Sequence, residues 1–206
     1  MAERPKRSLE ALLGVSSLKY AAVICANQTL HKWREMRDFS ETPFGPFPVL
    51  DLLTLYPEVL PLIGPIDKEK AFVSNEAHGR LILVNVNQTP QAQRFSIAHE
   101  IGHLELWRLA TRISGYSMSL PRPNSRYIDI RFNHGEKEGF CDIFAANILL
   151  PRTLVLQWAT TVGSKLGSKE IEDGAKFFQV PVELFRNRLL SCCPAILRAT
   201  ALSGGV

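Results

Sequence analysis

Residues 95–107 read FSIAHEIGHLELW, an apolar run at helical spacing that carries two histidines and a glutamate in its middle. A helix this apolar belongs against a core, and burying an unpaired charge costs roughly several kcal/mol. The chain must therefore leave that stretch uncovered or fold so that the three polar side chains share a use. His99, Glu100 and His103 form the pattern HExxH. At 3.6 residues per turn, the two histidines stand about 6 Å apart along the helix axis and about 40° apart around it. Both imidazoles can then bind one divalent ion, and Glu100 is placed to reach a water on that ion as general base. Such an ion lowers the pKa of its water from about 15.7 to about 7, so a carboxylate completes the deprotonation at neutral pH. Gly102 removes a side chain where ion or substrate needs room. Coincidental placement of two ordinary histidines is the competing reading, and it leaves the polar trio in an apolar segment unexplained.

A catalytic zinc site takes three protein ligands and keeps one position open. The downstream-histidine form, HExxHxxGxxH, is excluded because Leu106 stands where it needs glycine and Leu109 where it needs histidine. The alternative is a carboxylate on a later helix, and EKEGFCDIFAANILLP offers Glu136, Glu138 and Asp142. Cys141, Phe144 and Ile148 define the buried face of that segment. Glu138, three residues before Cys141, falls at its inward edge, with an ordinary solvated charge as the other reading. Asp142, four residues after Glu138, lies on the same side and is placed to accept a hydrogen bond from a liganding imidazole. Glu136 points elsewhere.

Around these two helices the chain reads as a mixture of helices and a small sheet. Residues 8–36 have apolar positions at helical spacing, before the turn-rich connector SETPFGPFP. VLDLLTLYPEVLPLIG holds a short helix ending near Pro57, since proline disfavours helix just before it. Two β-type runs, Ala71 to Ser74 and Leu81 to Val86, flank a turn at EAHG and predict a hairpin. Thr89 and Pro90 then suit the cap and first position of the HExxH helix, which is expected to run to about Arg108 or Arg112. Residues 113–135 form a long connection with room for one strand, RYIDIRF, and connections of that length are often functional. The EKEGFCDIFAANILL helix closes at Pro151, and three shorter helices come after it, the last two joined at Val180-Pro181.

With 206 residues and 46% hydrophobic content, one domain with a substantial core is expected. A net charge of +4 permits contact with nucleic acid or an acidic partner but falls well short of a strongly basic stripe, and the terminal PVELFRNRLL segment suits packing better than reading DNA. Cys25, Cys141, Cys192 and Cys193 contain no CxxC pair, which reads as reduced thiols rather than a disulfide framework or a cysteine-rich zinc site. No segment approaches the roughly 18 consecutive apolar residues of a membrane span. Glu10 and Lys19 interrupt any secretory core near the start. The expected location is cytoplasmic, and no membrane contact is expected.

RFSIAHEIGHLELW followed by EGFCDIFAANILLP resembles the ImmA/IrrE-type metallopeptidases, over roughly residues 46–151 and more loosely into IEDGAKFFQVPVELFRNRLL. Their helices typically read RF(S/T)xAHExGH and then ExxANxFAxxLLxP, so Cys141 stands for the common Ala and Asp142 for the common Asn. The resemblance implies that His99, His103 and Glu138 are metal ligands of gluzincin type, that Glu100 is the catalytic base, and that LILVNV serves as an edge strand. It further implies cleavage of a DNA-binding repressor, in stress responses, mobile elements or toxin–antitoxin-like pairs. The helix–turn–helix that many relatives carry at the N-terminus is not evident.

The fold expected is an α+β, zincin-like metallopeptidase: a small mixed or antiparallel sheet, the HExxH active-site helix and a helical C-terminal portion. Its divisions are a helical segment over 1–45, a core over 46–160 and C-terminal helices over 161–206 packed on that core. The expected ion is zinc, with manganese as the alternative because His, His and carboxylate accept either. His134, four residues before Glu138, is a candidate to stabilise an oxyanion, as are Tyr116, Arg126 and Tyr127, since peptide hydrolysis needs a donor aimed at the developing charge. His31 and His78 read as surface residues. The expected partner is a helix–turn–helix repressor, without direct nucleic-acid binding. Two other classes are weighed: a non-hydrolytic metal-binding regulator that binds a repressor, and a DNA-binding regulator.

Overall fold

In the computed structural model, residues 18–66, 70–76, 79–114, 134–163 and 166–193 are described. Helix α1, Leu18–Met36, turns one face inward through Ala22, Ala26, Leu30 and Trp33, the three-and-four spacing of an amphipathic helix. The Trp33 indole N–H donates to Asp51 Oδ2 at 2.9 Å, and Arg37 pairs with the same carboxylate. That joint ties the end of α1 to a short 3-10 helix, Asp51–Leu55, which stops before Pro57.

Three strands come next: β1, Val59–Gly64; β2, Ala71–Glu76; and β3, Gly79–Asn85. Their order is β1-β3-β2, with β1 parallel and β2 antiparallel to β3, so the sheet is mixed. One element is added to the sequence reading and one expectation is corrected. VLPLIG, which lies beyond the short helix ending near Pro57, is a strand running from Val59 opposite Arg80 to Gly64 opposite Asn85. The LILVNV strand, expected at the edge, is central among the described strands because β1 covers its far side. Along β3 burial alternates strictly, placing Arg80, Ile82 and Val84 on the inner face. Gly79 opens that strand at φ +154, where a Cβ would stand 2.9 Å from the Glu58 carbonyl oxygen; only glycine allows this approach.

The long helix α2, Pro90–Ser114, begins as expected, with Thr89 Oγ1 accepting from the Ala92 N–H at 3.3 Å. It continues two residues past Arg112. Helix α3, His134–Leu149, lies against both α1 and α2 and is the most buried element, with Phe140, Cys141, Phe144, Ala145 and Ile148 at 0–1% exposure. After Pro151 come α4, Arg152–Val162, α5, Ser168–Phe178, and α6, Val182–Cys192. Phe185 of α6 packs edge-on against Trp158 of α4 at 4.9 Å and fills the space beside Gly174 of α5. Arg188 turns inward, donating to the Leu150 carbonyl at 2.9 Å and to Asn147 Oδ1 at 2.6 Å, which fastens α6 to the C-terminal end of α3. Its guanidinium is thus committed to packing, as the sequence suggested for this segment. Cys25, Cys141, Cys192 and Cys193 are free thiols, all buried. Among the described residues, no single helix is long and apolar enough to cross a membrane; α3 and α4 together pass that test by composition but are bent by 54°.

Candidate metal centre

The site is made where α2 crosses α3. The crossing is close because Gly102 presents no side chain: a Cβ there would stand 3.0 Å from Cys141 Cα and 3.3 Å from Phe144 Cδ1. His99 and His103, one turn apart on α2, flank that glycine and face α3 with ring centroids 5.0 Å apart. Glu138 sits opposite them. Its Oε2 is 3.1 Å from His99 Nε2, and its Oε1 is 3.6 Å from His103 Nε2. Asp142, one turn further along α3, holds the other face of His99, with Oδ1 2.9 Å from Nδ1. Glu136 is exposed.

These separations fit an ion. Two donors each about 2.1 Å from a tetrahedral centre stand about 3.4 Å apart, and 3.1 and 3.6 Å bracket that value. Asp142 occupies His99 Nδ1 and so leaves Nε2 for a metal, the arrangement by which a carboxylate fixes a liganding imidazole. Cys141 is a second possible donor on α3. Its thiol and one ring nitrogen from each of His99 and His103 lie within 4.8 Å of one another. Sequence reasoning treated Cys141 only as a core residue. Its signal was its place one turn from Glu138 on the same face of the same helix.

The electrostatics belong to a crowded, partly buried cluster of titratable groups. Glu100, 6% exposed, is pushed up to about 7 by burial and by the Glu138 carboxylate, against the pull of His99 and the Val73 backbone N–H of β2. Burial opposes charge on His99, but its hydrogen bonds to Asp142 and Glu138, with the field of Glu100, hold it up at about 9. Burial and then the neighbouring His99 charge push His103 down to about 4. Burial and the surrounding carboxylates raise the Cys141 thiol. A proton on His99 thus takes the place among these carboxylates that a metal cation would take. Val73 enters the site only through the fold; nothing local in the sequence marks a strand amide as a partner for Glu100.

His134 opens α3, but its side chain lies outside the described residues, as do Tyr116, Arg126, Tyr127, His78 and the RYIDIRF segment. His31 is exposed, paired with Glu35 at 3.5 Å one turn along α1.

No curated protein matches the chain. A solved structure, a Mycobacterium tuberculosis transcriptional regulator, superposes with a TM-score of 0.53 at 16% sequence identity, a likeness of fold alone. The match covers 85% of this chain and 47% of that one, so the chain spans about half the length of that regulator. The model of a peptidase family, M78, described as the IrrE N-terminal-like domain, matches residues 64–190, which hold β2, β3, both site helices and nearly all of α4 to α6. The chain with this crossing of α2 and α3 belongs to the M78 peptidase family.

Proposed function

We propose that the chain is a metal-dependent peptidase that cleaves a peptide bond in a helix–turn–helix repressor, a form of regulatory proteolysis. The observation that carries the catalytic part is the convergence of His99 Nε2 and His103 Nε2 on the two oxygens of Glu138, with buried Glu100 beside them. In this reading His99, His103 and Glu138 hold the ion, zinc first and manganese second. When bound, a divalent ion supplies Lewis acidity to the scissile carbonyl and acidity to a water. Glu100 takes the proton of the attacking water and delivers it to the leaving amine. Burial strengthens the Glu100 carboxyl's hold on a proton, which suits it to take one up, and a cation beside it would favour the release. Asp142 orients His99, and the Val73 N–H orients Glu100. The repressor substrate is supported by the family resemblance of the two helix motifs, and it is an analogy of function carried on a site.

The test is proteolysis of candidate helix–turn–helix repressors and of a denatured peptide library by zinc-loaded and manganese-loaded protein, read by mass spectrometry. Glu100→Gln is expected to lower cleavage by about 10²–10⁴-fold, the usual worth of a general base. Cleavage unchanged in Glu100→Gln would remove Glu100 as the base, and no cleavage of any substrate by either metal-loaded form would leave a metal-holding binding partner instead.

A further inference from the structure

We propose that Cys141 is a fourth donor of this metal centre, a thiolate that closes the shell of an ion held by His99, His103 and Glu138. The inference rests on the reading of those three as ligands. Helix α3 offers a carboxylate and a thiol one turn apart, and both reach the same pair of imidazoles: Glu138 at 3.1 and 3.6 Å, Cys141 within 4.8 Å. The side chain is fully buried at the helix crossing, where bare Gly102 lets α3 approach to 3.0 Å from the position of an added Cβ. That approach is what brings the sulfur to the level of the histidines. Because the thiol lies within 4.8 Å of a ring nitrogen of each histidine, closing on a shared ion takes a small side-chain adjustment and loss of its proton to solvent as the ion binds.

The consequence lies in which ion binds and how. A catalytic zinc site keeps one position for water, whereas four protein donors make a closed site. With Cys141 on the metal, the position Glu100 would serve is filled by sulfur. Soft thiolate favours zinc, and carboxylate with imidazole accepts manganese as well. The thiolate would thus hold zinc in a closed, resting form, from which sulfur must leave before a water can take the position that Glu100 serves.

Cobalt(II) reads this directly. One equivalent is added to metal-free wild type, Cys141→Ala and Cys141→Ser, with circular dichroism as a check of folding; serine keeps the volume should alanine unfold the chain. Visible d–d bands report an ion seated on the histidines, and a near-ultraviolet thiolate-to-cobalt charge-transfer band reports sulfur. Wild type is expected to show both, and either variant to keep the d–d bands while losing the charge-transfer band entirely. Wild type with d–d bands but no charge-transfer band would overturn the role of Cys141 and leave the three-ligand reading standing. Charge transfer persisting in both variants would likewise overturn it. Absence of d–d bands in wild type would overturn both.

Discussion

Replacing Glu100 by glutamine in the metal-free protein should make the fold more stable, and increasingly so as pH rises. Glu100 is 6% exposed and pushed from 4.5 up to about 7, with burial as the leading cause. At about 1.4 kcal/mol per tenfold, that gap is worth about 3 kcal/mol. The sign comes from which state holds the proton more tightly. The folded chain does, so the favourable contribution is full below pH 4.5 and is lost as pH rises through about 7. About 2 kcal/mol of the loss falls between about pH 5.5 and 8.5. Glutamine keeps the shape and cannot ionise, so the Glu100→Gln protein lacks this loss. The gain is trimmed because Glu100 also supports the charge on His99 and accepts from the Val73 N–H. A net advantage of about 2 kcal/mol at pH 8.5, shrinking toward pH 5.5, is therefore expected. Urea denaturation in chelator across that range, with both proteins read by the same probe, measures it. Parallel curves for the two proteins, or a variant less stable than wild type at pH 8.5, would show that ionising Glu100 carries no such cost. Added zinc should narrow the difference, since a nearby cation favours the carboxylate.

The crossing of α2 and α3 carries further expected outcomes. Gly102→Ala should destabilise by about 1–3 kcal/mol, because the new methyl group meets Cys141 backbone at 3.0 Å. Gly139→Ala, one residue past Glu138 with nothing within 4 Å, should stabilise by about 0.5–1 kcal/mol; thermal unfolding compares the two. Asp142→Ala frees His99 Nδ1 and should weaken metal binding by about 10–100-fold, measured by competition with a chromophoric chelator; unchanged affinity would remove its orienting role.

The helices were legible because their signals are local. HExxH, the Thr89-Pro90 start and the Pro151 stop each act within a turn or two of the residues they fix. The pairing of Glu138 with the two histidines was legible for a related reason, since helical spacing alone orders Glu138, Cys141 and Asp142 on one face. β1 was not legible. VLPLIG contains a proline and does not alternate in burial, with Leu60, Leu62 and Ile63 all exposed. What makes it a strand is its parallel pairing with β3, whose residues lie some twenty positions further along the chain, and no local pattern encodes that partner. The placement of LILVNV depended on the same missing strand. Cys141 went unrecognised as a donor because a thiol on an apolar face reads as core. Its proximity to the imidazoles comes from Gly102 on another helix.

The grip of Arg188 on Leu150 and Asn147 fixes two points on the chain, the end of α3 and the middle of α6. Everything between them, α4, α5 and their connections, is a closed circuit whose contour must return to the same place. Residues added or removed between α4 and α5 are expected to leave both ends in place. A one-residue change inside α6 would instead rotate its side chains by about 100°, swing the guanidinium away and let the circuit open. The register of this region is therefore set from the helix that carries Glu138.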